Sequence, residues 1–302
     1  DGLYDGSDLS CRAGGKMTMK EEKALEQFAW QIRCGIVEAI AAKGGGHIGG
    51  SLDLAELFAV LYGGIMHIRP EEPNWAERDY LVCSKGHAGP CAYAALALCG
   101  FFPYERLKTL NSNGTLLPGH CDREKVPGID ATTGSLGQGL SIACGLALGA
   151  KLSGTDQRVY CVLGDGELAE GQNWEAAQFA SHYKLGNLTA FLDWNKMQID
   201  GRNEDVMSLR NAQEKFVAFG WDTAFVDGRD IHSIISAIRS GESNNEAPVL
   251  IVLDTVKGAG VPCIESLSNN HCIGIPQKLA EKAMAELVEQ AERLGMEVPK
   301  WN

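Results

Sequence analysis

The sequence has no C-x-x-C pair, no excess of basic residues and no apolar run approaching the roughly 18 residues that cross a bilayer. Each absence removes a class of protein. Ten cysteines are present, but they sit mostly inside apolar stretches such as YLVCS, CAYAALALCG and IACGLALG. They read as reduced, buried small residues of a cytoplasmic protein, not as a disulfide framework. Lys and Arg total 27 against 39 Asp and Glu, a net charge of -12, which repels nucleic acid and anionic membranes. A small phosphorylated ligand stays compatible with that balance, because helix N-termini, a metal ion and a few His make a site locally electropositive. There is no signal-peptide pattern, internal repeat, low-complexity run or dividing linker. Neither G-x-x-x-x-G-K-[ST] nor a strand-linked G-x-G-x-x-G occurs, which argues against a nucleotide-binding α/β protein.

What is there is a 302-residue chain, 45% hydrophobic, able to bury a large core. Residues 1–16, rich in Gly, Asp and Ser, read as a flexible lead-in, and 17–302 as one domain. Thr18 with Glu21 forms a possible capping box, and Leu25, Phe28, Ile32, Ile36 and Ile40 follow at helical spacing up to the Gly44–Gly46 run. A second helix is expected near Ser51, a strand over Tyr80–Ser84 and an Ala-rich helix over Ala88–Leu98. Further apolar strands are expected over Arg158–Leu163, Leu188–Asp193, Thr223–Val226 and Pro248–Asp254. Helices near 170–183, 208–219 and 230–240 fall between them, and an amphipathic one covers Gln277–Leu294. This alternation predicts an α/β fold, a parallel sheet with helices on both faces, whose ligands lie at the carboxyl ends of the strands.

Two strand ends carry the chemistry. CVLGDGELAEG runs from a buried strand into Gly164-Asp165-Gly166-Glu167, where glycines admit a phosphate to the backbone and a carboxylate stands at the mouth. Thirty positions after Asp165, the strand LTAFLDW ends at Asn195. Asp165 and Asn195 together offer hard oxygen ligands to one Mg²⁺, with phosphate oxygens and water completing the octahedron. A strand-to-helix turn using glycine for steric reasons alone is the plainer account of Gly-Asp-Gly by itself. Several His follow glycine-rich turns, and imidazole is the side chain best matched to moving protons near neutral pH. His67, His182 and His232 stand outside such turns and read as structural or surface residues.

GDG followed by a strand-terminal Asn resembles the thiamine-diphosphate motif. HIGGSLDLAEL around His47, RDYLVCSKGHA around His87, LPGH ending at His120 and TTGSLGQGLSIACGLALG from Thr132 resemble transketolase motifs, in transketolase order; TVKGAGV with His271 is a looser fifth. The resemblance, over about residues 20–275, implies the diphosphate-binding (PP) fold with thiamine diphosphate and Mg²⁺ (or Ca²⁺ or Mn²⁺) as cofactors. It implies Asp165, Asn195 and the Met197 carbonyl as metal ligands. His47, His87, His120 and His271 would bind sugar hydroxyls and move protons, with His87 and His271 also near the diphosphate. Gly134, Ser135 and Leu136 would lie against the aminopyrimidine, and the Gly166 amide on the diphosphate. Glu170, in the opening turn of its helix, has a sufficient account in the favourable field of the helix N-terminus; the resemblance instead puts Glu170 and Glu175 in a carboxylate network across a subunit contact.

The implied activity is transfer of a two-carbon ketol unit from a ketose, usually phosphorylated, to an aldose. A full transketolase is about twice this length, so the pyrimidine-binding and C-terminal domains, with the Glu that activates the cofactor, are expected on a partner chain. Two such subunits would self-associate with two partners as a heterotetramer. Deoxyxylulose-phosphate-synthase-like enzymes, 2-oxoacid dehydrogenase E1 subunits and a catalytically silent paralogue are the alternatives. SKGHA and LPGH favour transketolase over the first two, and the retained Asp165, Asn195 and His residues argue against the third.

Overall fold

A computed structural model describes residues 18–298; the expected lead-in, 1–16, lies outside them. The chain opens with α1 (Met19–Lys43), closed at its N-terminus by the Thr18/Glu21 capping box, then β1 (Gly45–Gly46), α2 (Gly49–Leu52) and α3 (Ala55–Val60). β2 (Tyr80–Cys83), α4 (Gly89–Leu98), α5 (Gln138–Ser153), β3 (Val159–Gly164), α6 (Gln172–His182) and β4 (Leu188–Trp194) follow. A small ladder, β5 (Met197–Gln198) with β6 (Gly201–Arg202), leads to α7 (Asn203–Val206), α8 (Ala212–Ala218), β7 (Asp222–Asp227) and α9 (Ile231–Glu242). The chain continues through β8 (Val249–Asp254), α10 (Pro262–Glu265), β9 (Ile273–Gly274) and α11 (Gln277–Leu294).

Five strands form one parallel sheet in the order β2-β3-β4-β8-β7. Side chains alternate between its faces, as the pleat requires. Val159, Cys161 and Leu163 of β3 join the core under α5, α6 and α8, while Tyr160 and Val162 join the larger core under α1, α3, α4 and α9. This is the expected α/β fold with both faces covered, and it explains why the strands read as nearly unbroken apolar runs.

Three features differ from the sequence expectation. The helix near Ser51 starts at Gly49, breaks at Asp53–Leu54, where Leu54 leaves the helical region at φ -103° and ψ 3°, and resumes at Ala55. The helix expected over 208–219 is shorter, starting at Ala212 where the Asn211 side chain accepts from Glu214 N at 3.1 Å. Helix α5 was not distinguished within its motif, since Gly139, Gly145 and Gly149 weaken its helical signal. Gly139 is required by contact: a Cβ there would stand 2.4 Å from Ser84 Cβ and 2.6 Å from Ser84 Cα, at the end of β2.

Candidate active site

The register of β3 on β4 pairs Gly164 with Asp193, so the turns after the two strands emerge side by side at the carboxyl edge of the sheet. Asp165 accepts from Gly166 N at 2.7 Å and from Lys196 N at 2.6 Å, tying one turn to the other. Lys196 has φ +66°, a left-handed conformation that costs an L-residue about 1–2 kcal/mol. It bends the chain straight after Asn195, so that Met197 N donates to Asn195 Oδ1 at 3.0 Å. The Met197 carbonyl accepts from Lys257 Nζ at 3.1 Å.

A second convergence sits above these oxygens. β1 pairs with β9, Gly45 opposite Gly274 and Gly46 opposite Ile273, which draws His47 to His271 across most of the chain. Their ring centroids are 5.3 Å apart; His47 lies 5.5 Å from His87 and 5.3 Å from His120, and His87 lies 4.9 Å from His271. All four predicted His, Gly134, Leu136, Asp165, Gly166, Asn195 and Met197 line one cavity of about 260 Å³. A side cavity of about 150 Å³ at its rim shares Met197, Gln198, Lys257 and His271 and adds Ser268 and Asn269. Ser135 and Glu170 are exposed and do not line the cavity; Glu170 lies against Gly137, beside the start of α5. His67, His182 and His232 are exposed and outside it.

Sequence reasoning missed the charged floor of this cavity. Lys85 is 1% exposed and pairs with Asp193, which also accepts from Thr255 Oγ1 at 2.5 Å and from Asn195 Nδ2 at 3.0 Å. Burial alone would lower the Lys85 ammonium; Asp193 and Asp53 hold it above its usual range. Glu167, buried, accepts from the Ser84 hydroxyl and from Gly137 N and Gly164 N at 2.9 Å each, joining three motif segments through one carboxylate. Both lysines, Lys85 and Lys257, lie inside the motifs SKGHA and TVKGAG, but only the fold aims them at one space.

Burial sets the electrostatics. It pushes the Asp165 carboxyl up to about 6, with Asp193 adding to the rise. Burial also lowers His47, His87 and His271, the last to about 3, and the neighbouring Lys257, Lys85 and imidazoles lower them further. Three of the four rings are therefore neutral near pH 7, able to accept or relay a proton rather than hold a fixed charge.

The residues present fit a diphosphate held through a cation. Among the described residues no three His, Cys, Asp or Glu cluster as a metal site. A bound ion would instead take one carboxylate (Asp165), one carboxamide oxygen (Asn195) and one peptide carbonyl (Met197), a donor set suited to Mg²⁺ only if phosphate oxygens complete it. The Lys257 ammonium already rests on that carbonyl, so the position favours a cation. His271 Nδ1 is buried in the cavity wall without a hydrogen-bond partner, as a group awaiting a ligand would be.

Residues 25–300 match the family described as "Transketolase, thiamine diphosphate binding domain". A 6-deoxy-6-sulfo-D-fructose transketolase subunit of Clostridium sp. (strain MSTE9) is 45% identical over 266 residues, 88% of this chain and 97% of that relative. One of the subunits of an apulose-4-phosphate transketolase from Phocaeicola vulgatus is 39% identical over 276 residues, 91% of this chain and 98% of that relative. The solved transketolase of Leishmania mexicana superposes with a TM-score of 0.81 at 30% identity, covering 87% of this chain but 41% of its own. The chain thus spans less than half of that solved transketolase and nearly the whole of the two subunit relatives. The five-stranded parallel sheet, the four converging His and these matches agree: the chain belongs to the transketolase family, as its thiamine-diphosphate-binding part.

Proposed function

We propose that this chain is the diphosphate- and metal-binding subunit of a two-chain transketolase, which moves a two-carbon ketol unit from a ketose to an aldose. The observation that carries this reading is the meeting of Asp165, Asn195 and Met197 oxygens with four His around one cavity. Asp165, Asn195 and the Met197 carbonyl would hold Mg²⁺; Gly166, His87, His271 and Lys257 would hold the diphosphate. The bound cofactor supplies a carbon nucleophile and an electron sink for breaking the ketose C2–C3 bond. Gly134 and Leu136, in the cavity wall, would bear on the aminopyrimidine, with the exposed Ser135 and Glu170 completing that contact only in the assembly. His47, His87, His120 and His271 would grip the sugar hydroxyls. As neutral bases, His47, His87 and His271 would take a hydroxyl proton as the bond breaks and return it as the acceptor is joined.

The partner would carry the rest of the active site, including the carboxylate that activates the cofactor. Coverage of relatives named as subunits along almost their whole length supports this. So does an exposed stripe on α5 beside the cavity: Ile142, Gly145, Gly149 and Leu152 lie on one face, and nothing within 4 Å meets the two glycines. Glu170 and Glu175 are exposed as well, and a carboxylate network with the partner and a second copy would form through them. Both relatives are named for a ketose bearing a strong anion, sulfonate or phosphate, and the donor proposed here is of that class. Residues 17–302 would act as the single PP-type domain of the assembly.

Calorimetric titration of thiamine diphosphate with Mg²⁺ tests the reading, with this chain alone, with its partner, and with Asp165→Ala. Tight binding completed by the partner and abolished by the substitution is expected; no binding in any mixture would point to a silent paralogue.

A further inference from the structure

Asn195 is 6% exposed, and both protons of its carboxamide nitrogen are used: Nδ2 donates to Asp193 Oδ2 at 3.0 Å and to Asp53 Oδ2 at 2.9 Å. The carboxamide oxygen accepts from Met197 N at 3.0 Å and has a second lone pair left, in a residue that lines the cavity. A flipped amide would set its oxygen against two carboxylate oxygens and its nitrogen against a backbone N–H. The two carboxylates cannot follow such a flip. Asp53 Oδ1 is held by Gly258 N at 2.6 Å and Ala259 N at 3.4 Å, and Asp193 by Lys85 and by Thr255 Oγ1 at 2.5 Å. Asp53 is 1% exposed, lies 142 residues from Asn195 in sequence and does not line the cavity. It stands where the helix is interrupted between Leu52 and Ala55.

We propose that Asp53 is a positioning residue for the metal site: with Asp193 it captures the amide of Asn195, so that oxygen, and not nitrogen, faces the cation. The proposal rests on the reading of Asn195 as a metal ligand. Asp53 acts through Asn195 and touches neither metal nor substrate. It also links the His47 segment to the TVKGAG loop at the same point, so seating the ion and closing the His quartet share one buried carboxylate.

The test is the Mg²⁺ affinity of the full chain with its partner in saturating thiamine diphosphate, read by calorimetry beside the melting temperature of the metal-free chain. Asp53→Ala is expected to weaken Mg²⁺ about 10–100-fold, the range for losing a group that orients a ligand. Asp53→Asn keeps the volume but can satisfy only one of its two sides, and is expected to weaken Mg²⁺ in the same direction. In an Asn195→Asp background the ligand has two equivalent oxygens and repels Asp53, so Asp53→Ala should then leave Mg²⁺ affinity unchanged or raise it. A merely structural role would lower affinity in both backgrounds, or lower only the melting temperature, and either result overturns the proposal. So would failure of both Asp53 variants to fold. Asn195→Ala separates the two levels. If it abolishes Mg²⁺ binding while the Asp53 variants bind normally, the inference fails and the metal-ligand reading stands; if it binds as the parent does, both fall.

Discussion

Lys85→Met is the most informative single change in the cavity floor. The Lys85 side chain is 2% exposed and that of Asp193 is 0%. The substitution keeps the volume of the stem but leaves Asp193 facing Asp53 with no cation between them, and removing one partner of a buried ion pair costs about 3–5 kcal/mol. At about 2–3 °C per kcal/mol for a domain of this size, melting should fall roughly 6–15 °C at pH 7. The pH dependence gives the cause away. Asp53 is already raised well above the usual carboxylate range, by burial first and by Asp193 second. Without Lys85, whose charge lowers it, the Asp53 carboxyl rises further above its unfolded value, so the variant binds a proton on folding. Its deficit is then full at neutral pH and shrinks as the pH falls toward the unfolded carboxylate value near 4. Adding Asp193→Leu should recover part of the loss, the remainder reflecting the stranded Thr255 hydroxyl and Asn195 amide. Calorimetric melting of the parent, single and double variants from pH 7.5 to 5 checks all of this. A single variant within about 2 °C of the parent, or a deficit that does not change with pH, would refute the reasoning.

Because His47, His87 and His271 have folded-state values below their unfolded ones, the unfolded chain binds the extra protons. Stability should be full above about pH 6.5 and fall below it, by at most about 1.4 kcal/mol per pH unit for each ring, and less for the half-exposed His47 and His271; melting curves at pH 7.5 and 5.5, with His87→Phe flattening the slope, measure it. Two glycines of α5 should respond with opposite sign. Gly139→Ala, driven into Ser84, should destabilise by about 1–3 kcal/mol or more, whereas Gly145→Ala, which meets nothing, should gain up to about 1 kcal/mol in the isolated chain. If α5 is the partner-facing surface, the same Gly145→Ala should weaken association with the partner, as sedimentation of the mixture would report; unchanged association would remove that surface from consideration.

Most of the fold was legible because it rests on local or periodic signals. The Thr18/Glu21 cap, the apolar strands and the amphipathic stripe of Gln277–Leu294 need only a few neighbouring residues to be recognised. Asp165 and Asn195 were legible for a related reason: each ends a buried strand, and parallel strands deliver their ends to one edge. The floor was not. Lys85, Asp193, Asp53 and Thr255 are polar residues that the sequence leaves without partners, since the Asp193–Thr255, Lys85–Asp193 and Asp53–Asn195 contacts span 62, 108 and 142 positions and exist only once the sheet has set its register. Helix α5 was hidden for another cause, its glycines serving close approach at Gly139 and an open face at Gly145 and Gly149. Ser135 and Glu170 came from motif correspondence, and their exposed positions reflect a property of surroundings that neither residue determines.

The two-residue ladder between β1 and β9 also bears on the order in which the protein is made. It joins Gly45 to Gly274, near opposite ends of the described chain, and it is what brings His271 to His47. Pairings so distant in sequence form late, because the loop they close carries its full entropic cost before any contact rewards it. During synthesis the sheet and most of the core can assemble from residues already emerged, while the histidine cluster stays open until Ile273 is available. Ligand-binding competence would therefore arrive late, when the sheet is already formed and α11 alone has still to dock on α1. A ribosome-bound fragment halted before that residue should resist proteolysis yet lack the site.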